Sequence, residues 1–121
     1  MPSSFIRIRK VSFQGLHCWP EAPEPVSFLR TLHRHVFEVE AEFAVGHGNR
    51  QLEFFMVQAD VKAAVARLSV ILKSNPHLSC EMMAERLAKT LLVKYPSLTE
   101  VTVSEDGENV GIYRLVEIYR L

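Results

Sequence analysis

Apolar and polar positions alternate most regularly in the middle of the first half of the chain. Phe37, Val39, Ala41, Phe43 and Val45 interleave with Val36, Glu38, Glu40 and Glu42. Period-2 alternation with β-branched and aromatic residues predicts a strand over 34–45. Gly46-His47-Gly48-Asn49 after it is turn chemistry. An earlier strand is predicted over 4–13. There Ile6 and Ile8 share one face, and Val11 and Phe13 continue the set of Phe5, Arg7 and Arg9; residues 14–18 extend the run to His17. Residues 19–25 hold three prolines, Pro20, Pro23 and Pro25, and read as a loop without helix or central strand. The spacing of Val61, Ala64, Val65, Leu68, Ile71 and Leu72 predicts a helix over 61–73, with Asp60 as N-cap and Asn75-Pro76 as its stop. A second helix is predicted over 80–95. Ser79 is its cap, Pro96 its stop, and Cys80, Met83, Ala84, Leu87, Ala88, Leu91 and Tyr95 its buried face. Strands over 99–105 and 110–119 flank an Asp106-Gly107 turn. The order ββααββ is that of an α+β fold, with a four-stranded antiparallel sheet and two helices on one face.

Composition narrows the class. The 121 residues suffice for one domain, 1–121, and 48% of them are hydrophobic, enough for a core. Fourteen basic residues balance 14 acidic ones, and no basic run stands out, so no nucleic-acid partner is expected. Apolar runs are short and interrupted by charge, so no membrane span is expected. The first residues, Met1-Pro2-Ser3-Ser4-Phe5-Ile6-Arg7, lack the apolar core of a signal peptide. Two cysteines, Cys18 and Cys80, make no disulfide framework. A reducing cytoplasm is the expected compartment.

The candidate chemistry starts at His33-Arg34-His35. In a strand, residues two apart share a face about 7 Å apart along the backbone, close enough for two imidazoles to converge on one ion. His17 ends the preceding strand-like run, and an antiparallel pairing of the two strands would bring it to the same place. Three neutral imidazoles form a catalytic type of zinc site, with a fourth position open. Plainer readings apply elsewhere. His47 lies in a turn, Cys80 on a buried helix face, and Met82 and Met83 are helix residues. Arg30 and Arg34 are open between structural and ligand-binding roles.

Five stretches, in this order, resemble the family of 6-pyruvoyltetrahydropterin and 6-carboxytetrahydropterin synthases, which has the T-fold. They are Phe13-Gln14-Gly15-Leu16-His17; Leu32-His33-Arg34-His35; Phe55-Met56-Val57 with Asp60-Val61-Lys62; Ser79-Cys80-Glu81; and Val101-Thr102-Val103-Ser104-Glu105 with Gly111-Ile112-Tyr113-Arg114. The resemblance implies Zn2+ held by His17, His33 and His35. It implies that Glu105 anchors the guanidine-like edge of a pterin or 7-deazaguanine base, which suits a carboxylate facing two parallel N–H donors. Glu81 is a second substrate-binding position, or a first-turn carboxylate favoured by the helix dipole. A homo-oligomer, a hexamer or similar, with sites between subunits is implied as well.

The chain also departs from that pattern. Leu29 stands where the synthases place a catalytic cysteine, and residues 73–77 join the helices without the synthases' Asp-His loop. The catalytic residues are therefore unknown, with Glu21, Glu24, Cys18 and His77 as candidates beside Glu81. The reading that follows is a zinc-dependent lyase of the pterin or 7-deazaguanine (queuosine) pathway, for which decarboxylation of 7-carboxy-7-deazaguanine is a concrete reaction. The alternatives are a synthase using a substitute base, and a non-catalytic base-binding T-fold protein.

Overall fold

A computed structural model describes residues 4–115. Strand β1 (Ser4–His17) is followed by a short 3-10 helix (Glu24–Arg30) and strand β2 (His33–Val45). Helices α1 (Phe54–Ser74) and α2 (Cys80–Leu92) come next, then strands β3 (Leu98–Glu105) and β4 (Asn109–Arg114). The strands form one antiparallel sheet in the order β1-β2-β3-β4. The alternation in β2 sends Phe37, Val39, Ala41 and Phe43 inward against Val57, Val61, Leu68 and Leu72 of α1 and Met83, Ala84 and Leu87 of α2. Each large side chain so buried contributes roughly 1.5–3 kcal/mol before the entropy of ordering it. The outer face carries cross-strand ion pairs, Arg7–Glu42, Arg9–Glu40 and Arg114–Glu100, whose exposed arginines are screened by solvent, so each adds little to stability.

Four sequence expectations change here. Val11 and Phe13 do not continue the face of Arg7 and Arg9. Ile8 pairs with Ala41 and Val11 with Val39, so three steps of β1 oppose two of β2, and Lys10 takes φ 59. This bulge reverses the alternation and turns Val11 inward, on the side of Ile8. Helix α1 starts at Phe54, not at residue 61. Its cap is Glu53, whose carboxylate accepts the N–H groups of Phe55 and Met56, so Asp60 is mid-helix. Phe54, Phe55 and Met56 are exposed, which is why helical spacing of buried positions begins only later. The proline loop does contain helix. Pro25 sits in the first turn of the 3-10 segment, where a missing N–H costs nothing. Helix α2 ends at Leu92, and the N–H of Tyr95 returns to the Leu91 carbonyl. Of the strand expected over 110–119, residues 116–119 lie outside the described residues.

Candidate metal centre

Three strand ends meet at one edge of the sheet. His17 is directly opposite His33 in the β1–β2 register, and Gly15 is opposite His35, so the three imidazoles gather at the end of that strand pair. Their ring centroids lie 4.6, 5.1 and 4.9 Å apart, and one nitrogen from each falls within 4.8 Å of the others. The bulge makes this possible, because without its extra residue His17 would point to the outer face.

Each ring is held by its Nδ1. His17 donates from Nδ1 to the Leu78 carbonyl oxygen at 3.0 Å, and His33 donates to the Thr31 carbonyl at 2.9 Å. His35 donates to Asp106 Oδ2 at 2.7 Å. A carbonyl or an ionised carboxylate can only accept, so these partners place a proton on each Nδ1, and in the neutral imidazole Nε2 then carries the lone pair. Ligand histidines are held this way by an outer ring of acceptors. Asp106 is itself fixed: Oδ1 accepts the Val36 N–H at 2.8 Å, and its own N–H donates to the Val36 carbonyl. It sits at φ 54 beside Gly107 at φ 72, a pair of left-handed residues that makes a tight hairpin turn. The hydrogen bond from His35, then that from Val36, holds the Asp106 carboxyl below its usual range.

Among the described residues, His35 Nε2 is a buried nitrogen without a hydrogen-bond partner. Such an atom costs free energy unless something occupies its lone pair. Burial also lowers the pKa of His17, against the opposing pull of Leu78 and Glu105, so its imidazole is held toward the neutral, ligating form. The donor set, three clustered imidazoles with a buried unpartnered Nε2 on His35, fits a borderline-soft divalent ion such as zinc.

His17 and His33 open onto a pocket of about 430 Å³, within the range of small-molecule sites. Glu105, Glu81, Cys18 and His77 line it, as do His17 and His33. Leu29 is part of its wall. Glu24 is not, because it pairs with Arg30 at 2.9 Å. Arg30 also donates to the Ala22 carbonyl, and Arg34 reaches Gln14 across the strand pair; neither lines this pocket.

Cys80 and Asp106 were given no site role by the sequence. Cys80 is buried in the core as expected, yet it also lines the pocket, where burial and then the Glu105 carboxylate push its thiol up to about 12. Gly111 lets β4 approach that spot: a Cβ there would lie 2.6 Å from the Glu81 backbone nitrogen. For Asp106 the only available signal was its place directly after Glu105, since it meets His35 from 71 positions away.

No family model and no curated protein sequence matches this chain. Among solved structures it is similar to Caenorhabditis elegans 6-pyruvoyl tetrahydropterin synthase, with a TM-score of 0.65 and 14% identity, covering 96% of this chain and 98% of that one. The likeness spans the whole ββααββ arrangement, and the chain has the T-fold.

Proposed function

We propose that this T-fold chain is a metal-dependent enzyme acting on a pterin or 7-deazaguanine base. The observation that carries the reading is the convergence of three imidazoles, each with its Nδ1 hydrogen-bonded elsewhere, beside a carboxylate-lined pocket that His17 and His33 line. His17, His33 and His35 would hold zinc. When bound, the ion supplies a Lewis acid that orients an anionic group of the substrate. Glu105 and Glu81 supply acceptors for the N–H edge of a guanine-like ring.

Decarboxylation of 7-carboxy-7-deazaguanine suits what the pocket holds. The bond from ring carbon to carboxylate breaks, its electron pair stays on the ring, carbon dioxide leaves, and the carbon takes up one proton. His77 and Cys18, both in the pocket wall, are the groups to test as proton donor; Glu24, facing Arg30, is not among them. A synthase reaction needs a base beside the pterin side chain, and Leu29 offers none. One observation favours the synthase alternative: Cys80 brings a thiol to the same wall, although one held in its neutral form.

Assembly of several copies belongs to the same reading. The outer strands β1 and β4 have one unpaired edge each among the described residues, and exposed Phe5, Leu16, Val110 and Ile112 lie on them. Edges of this kind invite pairing with another copy. Light scattering should then give a mass several times 13.8 kDa.

The test is a mass-spectrometric turnover assay of zinc-loaded protein with dihydroneopterin triphosphate and 7-carboxy-7-deazaguanine in separate reactions, each with a chelated control. Loss of one carbon dioxide from the deazaguanine, abolished by chelation, is the expected result. Conversion of the pterin would establish the synthase alternative. No conversion of either, with retained base binding, would leave the non-catalytic one.

A further inference from the structure

Glu105 approaches His17 in a way that a neutral imidazole, its Nδ1 proton already donated, cannot answer with a hydrogen bond. His17 has spent its Nδ1 proton on the Leu78 carbonyl, so Nε2 presents a lone pair. Glu105 Oε2, which only accepts, lies 3.1 Å from that nitrogen. The same oxygen lies 3.8 Å from His35 Nε2, the buried nitrogen that has no partner among the described residues. Lone pairs held this close repel unless a cation stands among them. Two ligand atoms on one tetrahedral zinc are roughly 3.3 Å apart, given bonds of about 2.0–2.1 Å, and the two observed separations straddle that value.

We infer that the Glu105 carboxylate is the fourth ligand of the metal in the substrate-free protein, closing the position that three histidines alone would leave open. The inference rests on the three-histidine metal reading above and goes beyond it. It changes how the pocket works. Paired N–H donors on a base edge use both oxygens of Glu105, and the metal takes one of them, so bidentate base binding and metal coordination compete for one carboxylate. Glu81, in the first turn of α2, is the pocket carboxylate that remains free to meet a base first. Ligand exchange at Glu105 then becomes the step that admits substrate to the centre.

Cobalt(II), which takes zinc's tetrahedral sites and absorbs visibly, tests this without any substrate. Metal-stripped wild-type protein, Glu105→Gln and Glu105→Ala are titrated with cobalt, and azide is then added to each. The wild type should show a four-coordinate spectrum unmoved by azide. Both variants should bind cobalt at least about tenfold more weakly and show spectra that respond to azide. Circular dichroism of the metal-free proteins checks the fold, and Glu105→Asp, which keeps the charge but withdraws the oxygens, should behave as the other two do. Equal affinity and equal azide response in wild type and variants would overturn the inference while leaving the three-histidine site standing. Absence of saturable cobalt binding to the wild type would overturn that site itself, and the inference with it.

Discussion

The two ends of the sheet treat polar groups in opposite ways. At the end where β3 begins, the Tyr95 hydroxyl donates to Asp60, Lys94 pairs with the same carboxylate at 2.9 Å, and the Tyr95 ring packs against Phe43 at 5.2 Å. Donors meet acceptors, and nothing is left over. At the end where β3 finishes, acceptors meet acceptors: Glu105 faces His17 Nε2, and His35 Nε2 faces no partner among the described residues. Both ends rest on the same core. A satisfied network stabilises, while an unsatisfied one marks where a ligand completes the structure.

The largest expected effect breaks the unsatisfied end. His33→Ala or His35→Ala should reduce zinc affinity by at least about a hundredfold, more than is typical of losing an outer-ring partner, measured by competition with a chromophoric chelator. The metal-free fold should survive, because neither ring is part of the apolar core. Next comes Asp106→Asn, expected to weaken zinc binding by about 10–100-fold. The replacing amide can donate to His35 Nδ1, which drives the ring proton to Nε2 and removes the lone pair the metal needs. The same competition assay reads it, and unchanged affinity would mean that the Asp106 contact does not set the tautomer.

Gly111→Ala sharpens the comparison differently, by disturbing the pocket wall and not its ligands. The added methyl would meet backbone of Cys80 and Glu81 at 2.6–2.8 Å, which a flexible side-chain end cannot relieve. A loss of about 1–3 kcal/mol in thermal stability is expected, with zinc affinity nearly unchanged. The smallest effect belongs to the satisfied end. Tyr95→Phe deletes one hydrogen bond and should cost about 1 kcal/mol in urea unfolding, leaving metal binding untouched.

That variant also carries a pH signature. Burial, and then the hydrogen bond to Asp60, raises Tyr95 from 10.0 to about 12, so the folded protein retains a proton that the unfolded chain releases. Its contribution is whole below pH 10 and is lost as pH rises from 10 to about 12. Asp60 has the opposite sign. Tyr95, and then Lys94, lowers its pKa, so its contribution is present above the ordinary value of 3.8 and fades as pH falls below it. Tyr95→Phe should flatten the alkaline loss and weaken the acid one.

Much of this was legible in the chain. The His33 and His35 pair followed from period 2, and the β2 core followed from its alternation. The element order followed from the succession of periods, and the T-fold from the resemblance of five short stretches to a known family. Other parts depend on events that leave no local trace. The bulge at Lys10 inverts a face, and only pairing with β2 reveals it. The first turns of α1 carry exposed Phe54, Phe55 and Met56, so no buried periodicity announces them. Asp106 and the Leu78 carbonyl act on histidines 71 and 61 positions away, a proximity that only the closed sheet creates. The histidine cluster was thus readable from spacing, and the acceptors that hold its rings were not.

The most direct test of the central claim is a zinc titration of metal-stripped wild-type protein followed through the ring nitrogens of its five histidines by NMR. The predicted result is saturation at one zinc per chain. The Nε2 signals of His17, His33 and His35 should shift together while their Nδ1 sites stay protonated, and His47 and His77 should not move. Saturation without those three shifts, or no saturable binding, would contradict the account.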